Sequence, residues 1–154
     1  LYQHDKDFRF DNNKSLYLSL KRNTFSPTNS QNTTFKKETF PLLYLPSTVT
    51  FRYTDILRGY VILALCDRWK INIGFRSADV FQERNEHDLL IDLNSELPMY
   101  NDSDTIVNKL KIALEKKPKT NLKDDIFQIY ETLLKMNVVK ELELSILKEW
   151  LKWI

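Results

Sequence analysis

The stretch Ser47-Thr-Val-Thr-Phe-Arg-Tyr-Thr-Asp-Ile-Leu-Arg-Gly-Tyr60 decides how the chain is read. Val49 and Phe51 alternate with Thr48, Thr50 and Arg52, the period-2 signature of a half-buried strand. Thr54 and Asp55 are good N-cap residues, and Ile56 onward is apolar and helical in composition. The expectation is a strand that stops at a polar cluster and enters a helix. A carboxylate at Asp55 would gain there from the helix dipole, with Arg52 and Arg58 close by. Residue types alone favour an ordinary helix cap, because most acidic residues at helix starts are caps.

The helix predicted over residues 55–69 is apolar on nearly every side (Ile56, Leu57, Tyr60 to Cys66, Trp69), which marks it as buried. Before it, Phe40-Pro-Leu-Leu-Tyr-Leu-Pro46 is bracketed by prolines, which argue for an extended crossing of the core. Further upstream lie a possible strand at Phe8-Arg-Phe10, a clearer one through Leu16, Leu18 and Leu20, and a polar loop rich in amides and hydroxyls over residues 22–32. Downstream, Ile71-Asn-Ile-Gly-Phe75 and Asp79-Val-Phe-Gln82 read as short strands. The run Leu89-Leu-Ile-Asp-Leu93 reads as a short helix ended by Pro98. Three amphipathic helices follow over residues 102–115, 121–136 and 139–154, with apolar residues at helical spacing and breaks at Pro118 and at Asn137 or Val138.

Bulk numbers exclude several classes. The 154 residues fit one domain or part of one, and the start at Leu1 suggests a piece of a longer protein. A net charge of +2 is too small to argue for nucleic acid or an anionic membrane, and the lysines of residues 109–119 read as a solvated helix face. The longest apolar run is far too short to cross a bilayer. The one cysteine, Cys66, allows no internal disulfide and reads as a buried small hydrophobe; two histidines are too few for a His-rich metal site. Only Gly59 and Gly74 are glycines, so no Gly-rich phosphate loop exists. Three glycosylation sequons, at Asn13, Asn32 and Asn101, leave a secretory location open without supporting it.

Five blocks in order, Asn29-Ser-Gln-Asn-Thr33, Phe40-Pro-Leu-Leu-Tyr-Leu-Pro-Ser47, Phe51-Arg-Tyr-Thr-Asp-Ile-Leu-Arg-Gly59, Gln82-Glu-Arg-Asn-Glu-His-Asp88 and Glu96-Leu-Pro-Met-Tyr100, resemble the STELLO-like glycosyltransferases. The resemblance spans about residues 26–100. More distantly, Thr54 to Gly59 and Glu149-Trp-Leu-Lys-Trp153 resemble the reversibly glycosylated polypeptides (UDP-arabinopyranose mutases). Both families imply a GT-A-type α/β sandwich with a mostly parallel sheet, here its C-terminal half over residues 1–100, followed by a three-helix tail over 101–154. In such sheets ligands collect where strands end and helices begin.

The family's metal-binding Asp-x-Asp belongs to the N-terminal half, which would be this chain's partner. Asp5-Lys6-Asp7 and Asp102-Ser103-Asp104 match it in letters only, and the second reads as a helix cap. The resemblance implies a nucleotide-sugar donor and a hydroxyl acceptor, with Asp55 as general base on that hydroxyl. Arg52 and Arg58 would pair with the sugar diphosphate or hold Asp55 ionised. His87 would reach a divalent ion (manganese or magnesium), inside a polar shell of Gln82, Arg84, Asn85 and Asp88. Asn29, Gln31, Asn32 and Thr33 would meet sugar hydroxyls beside Thr54. An alternative is a non-catalytic scaffold or regulatory protein, since the family is associated with organising cellulose-synthase assembly. Tyr60-Val-Ile-Leu63 stands where the family usually continues with an Ala-Gln pair, which puts one polar contact in doubt.

Overall fold

The computed structural model describes residues 17–21, 24–26, 28, 30–77, 79, 80, 83 and 88–154. Four α-helices carry the architecture: α1 (Thr54–Trp69), α2 (Leu89–Glu115), α3 (Leu122–Lys135) and α4 (Leu142–Lys152). Two short strands, β1 (Tyr17–Ser19) and β2 (Gly74–Arg76), pair antiparallel with Leu18 opposite Phe75. A further bond, Leu20 N–H to the Ile73 carbonyl at 2.9 Å, extends that ladder.

Helix α1 is the hub. Every residue from Leu57 to Leu65 is buried, as its all-round apolar composition predicts. It packs on α2 through Ile106, Val107, Leu110 and Leu114, and on α3 through Ile126, Ile129, Tyr130 and Leu133, while Leu147 closes the core from α4. Lys70 ends α1 in the left-handed conformation (φ 54°), and Ile71 N–H returns to the Cys66 carbonyl at 2.9 Å. Asn137, also left-handed (φ 57°), makes the turn between α3 and α4; asparagine tolerates that conformation better than most residues. The α3 start follows the capping rule, with the Asn121 side chain accepting from Asp124 N–H at 2.9 Å.

The expected α/β sandwich is not what this chain forms. Its one sheet among the described residues is a two-stranded antiparallel pair, and helix-on-helix packing makes the core. The long apolar runs among the described residues are taken up by helices, and the two strands there are three residues long and exposed at every position, unlike the buried strands of a parallel sheet. The predicted strand at Val49–Phe51 is instead a bend leading into a 3-10 turn, Phe51–Tyr53, and Phe51 is 92% exposed. Alternation over so few residues did not bury its second apolar position.

The first part of the Pro-bracketed segment, Phe40 to Leu43, likewise belongs to a 3-10 helix, Lys37–Leu43, with Pro41 inside it, and Tyr44 to Pro46 follow it without helix. Proline's fixed φ lies within the 3-10 range, which makes this tolerable. Asp79 and Val80 form no strand and are exposed. Helix α2 does not stop at Pro98 but continues through it for 27 residues, so Asp102 and Asp104 sit in mid-helix rather than as caps. Residue 100, expected to end the first unit, falls inside α2. The C-terminal half of α2 is buried against α1 and α3, while its N-terminal half leaves Leu89, Leu90, Ile91 and Tyr100 exposed. The expected strand at Phe8–Phe10 and the Asp5–Asp7 pair lie outside the described residues.

Candidate functional site

At the start of α1 the side chains do something other than cap. Thr54 donates its hydroxyl back to the Thr50 carbonyl at 3.2 Å, and no side chain caps the helix. The Asp55 carboxylate instead accepts from the backbone N–H of Ser30 at 2.9 Å, reaching 25 residues back along the chain. One turn further on, Arg58 donates to the Ser30 hydroxyl at 2.8 Å. An acid and a base spaced one helical turn apart therefore meet the same serine, one at its backbone and one at its side chain.

Arg58 is only 5% exposed and lies over the Phe35 ring, 5.4 Å from its centroid. Its Nε–H is buried with no partner. Burial lowers its pKa, and the Asp55 charge opposes that shift; an arginine stays protonated under both. Thr28, at the other end of the same loop, also keeps a buried hydroxyl without a partner. A guanidinium with an unused donor beside a carboxylate could orient a polyhydroxy or anionic ligand.

The remaining predicted residues distribute as follows. Asn32 donates to Asp79 at 2.7 Å, and this bond, followed by the Arg76 charge, holds the Asp79 carboxyl below its usual range. Gln31 and Thr33 are exposed in the same loop. Arg52 pairs with Asp92 of α2 at 2.6 Å. Asp88 caps α2, accepting from Leu90 N–H at 2.9 Å and Ile91 N–H at 3.2 Å. Asn29, Gln82, Arg84, Asn85 and His87 lie outside the described residues. The structure thus brings Asp55 and Arg58 together on Ser30, while Thr54 turns back to Thr50, Asn32 to Asp79, Arg52 to Asp92 and Asp88 to the start of α2.

Ser30 and Phe35 are the two members that sequence reading missed. Ser30 stood inside the quoted amide loop, and a hydroxyl among amides gave the only signal. Among the described residues there is no group of three or more His, Cys, Asp or Glu side chains that could hold a metal ion, and His87 lies outside them. No described helix is long and apolar enough to cross a membrane. Neither a family model, nor a curated protein, nor a solved structure matches this chain.

Proposed function

We propose that the chain carries the acceptor side of a nucleotide-sugar-dependent glycosyltransferase, with Asp55 as its general base. The observation behind this reading is the convergence of Asp55 and Arg58 on Ser30, at the end of a buried helix and beside a loop of amides and hydroxyls. The Asp55 carboxylate takes the proton of an acceptor hydroxyl, whose oxygen attacks the anomeric carbon of the donor. The bond from that carbon to the diphosphate breaks, and the nucleoside diphosphate leaves with the electron pair. Arg58 steadies the ligand through its charge. His87 is the expected ligand of a divalent ion, and none of these steps is routed through one.

The second reading is a non-catalytic scaffold. It is favoured by the bond that Asp55 already makes to Ser30 N–H, which alone gives the carboxylate a structural role. Asp55→Asn separates the two, because an asparagine oxygen still accepts that bond but cannot take a proton. An enzyme loses transfer from UDP- and GDP-sugars by at least about a hundredfold while keeping its melting temperature. Thermal melting with UDP, GDP and manganese, alone and together, reports donor binding independently. Stabilisation by none of them favours the scaffold.

A further inference from the structure

Two helical turns along α1 from Asp55, a second concavity of about 160 Å³ opens between α1 and α2. Its inner wall is apolar: Leu63 of α1 and Val107 of α2 are buried, and Ile71, Ile73 and Leu20 are half-buried. Its polar lining residues are of a different kind. Lys21, Asp104, Asn72 and Asn108 are all exposed, so they form a rim around an apolar interior. Asp67 and Lys111, also in the lining, are joined at 3.4 Å and offset each other. Lys21 and Asp104 take part in no ion pair among the described residues, and so they are the one cation and the one anion of the described rim that no ion pair occupies.

We propose that this cavity binds a free apolar α-amino acid, with leucine as the reference ligand. An apolar floor beneath a rim with both charges suits a zwitterion that carries an apolar tail. The ammonium goes to Asp104, the carboxylate to Lys21 and the tail to Leu63 and Val107, with the two asparagine amides completing the head group's hydrogen bonds. A neutral sugar would leave the apolar interior uncovered. A simple anion or cation would meet its own charge on one side of the rim. The volume holds several water-sized units, enough for a four-carbon side chain and too small for a nucleotide.

The test uses the 154-residue chain and follows its amide resonances by NMR during titration. The probes are leucine, glycine (head group only), 4-methylvalerate (no ammonium), isoamylamine (no carboxylate) and glucose. Leucine is expected to bind at least about tenfold more tightly than each of the others, with shifts centred on Asn72, Val107 and Asn108. Lys21→Met and Asp104→Asn are each expected to weaken leucine by about tenfold while the melting temperature holds. Leucine no tighter than glycine or 4-methylvalerate overturns the proposal, as does glucose binding more tightly, or leucine binding that neither variant changes. Shifts confined to residues 30–35 and 55–58 overturn it too, by placing the ligand at the other site.

Discussion

The Tyr44 hydroxyl donates to the carboxylate of Glu143 across 99 residues of chain, inside the helical core. The same carboxylate accepts from Ser47 N–H at 3.0 Å, Thr48 N–H at 2.7 Å and the Thr48 hydroxyl at 2.6 Å. Lys140 N–H closes the loop by donating to that hydroxyl at 3.0 Å. One fully buried glutamate thus fastens the segment ahead of α1 to the start of α4.

Glu143→Ala should therefore be one of the most destabilising single changes in the chain. It strands the buried Tyr44 hydroxyl and the part-buried Ser47 and Thr48 donors at once, for a cost of about 3 kcal/mol, which moves a urea midpoint down by about 1–2 M. Glu143→Gln, which keeps an acceptor, should recover part of the loss. Equal midpoints for Glu143→Ala and the unaltered chain would show that the clasp carries no net stability.

The clasp also gives the chain an acid-sensitive point. Burial by itself would raise the Glu143 pKa, but the Thr48 and Tyr44 hydroxyls and the Ser47 and Thr48 amides outweigh it and hold the carboxyl below the ordinary 4.5. A depressed pKa contributes stability that is present above the ordinary value and lost as pH falls through the folded-state value. Urea midpoints measured at stepwise pH from about 7 to about 3 should decline more steeply for the unaltered chain than for Glu143→Gln. Parallel curves for the two proteins would remove Glu143 from the acid transition.

The helices were legible where periodicity was long. Leu122, Ile126, Ile129, Tyr130 and Leu133 mark α3, and all but Leu122 prove buried. Continuation through Pro98 was not legible, because an interior proline removes a hydrogen bond and its ring crowds the carbonyl four residues back, which usually ends or kinks a helix; α2 nonetheless runs 27 residues. The parallel sheet came from the family resemblance and from no pattern of residues, and the structure overturns it. In the candidate site, Asp55 and Arg58 could be named but their meeting at Ser30 could not, since sequence spacing does not report a contact 25 residues away.

The buried acids Glu143 and Asp125 were missed although a signal existed. Each stands four residues before a buried apolar residue, Leu147 and Ile129, and so lies on the inward stripe of its helix. A carboxylate in that stripe implies buried donors to receive it.

Asp125 makes the second such junction. It accepts from Arg68 Nε at 2.6 Å and Nη2 at 3.2 Å and from the Trp69 indole at 2.7 Å, while Arg68 also donates to the Leu114 carbonyl at 2.7 Å. The end of α1 is thereby tied to α2 and α3 together. Asp125→Ala should cost about 3 kcal/mol, because it leaves the largely buried Arg68 without its counter-charge. Arg68→Lys should also lose stability, since an ammonium cannot reproduce the two-pronged contact. If the double variant Asp125→Ala/Arg68→Met costs as much as the sum of Asp125→Ala and Arg68→Met measured singly in urea unfolding, the pair is not coupled.

Cys66 should react slowly for a cysteine that is only half-buried. Burial, and after it the Asp67 charge, pushes its thiol from 9.0 up to about 11, while Lys111 works in the other direction. A thiol raised from 9.0 to about 11 has about a hundredfold less thiolate near pH 8, and the thiolate is the species that attacks. The rate of iodoacetamide labelling in the native chain should fall below that of the urea-unfolded chain by about that factor. Asp67→Asn should raise the native rate by removing the nearby negative charge, with unfolding stability checked in parallel. A native rate equal to the unfolded one would mean that the wall between α1 and α2 does not shield this thiol.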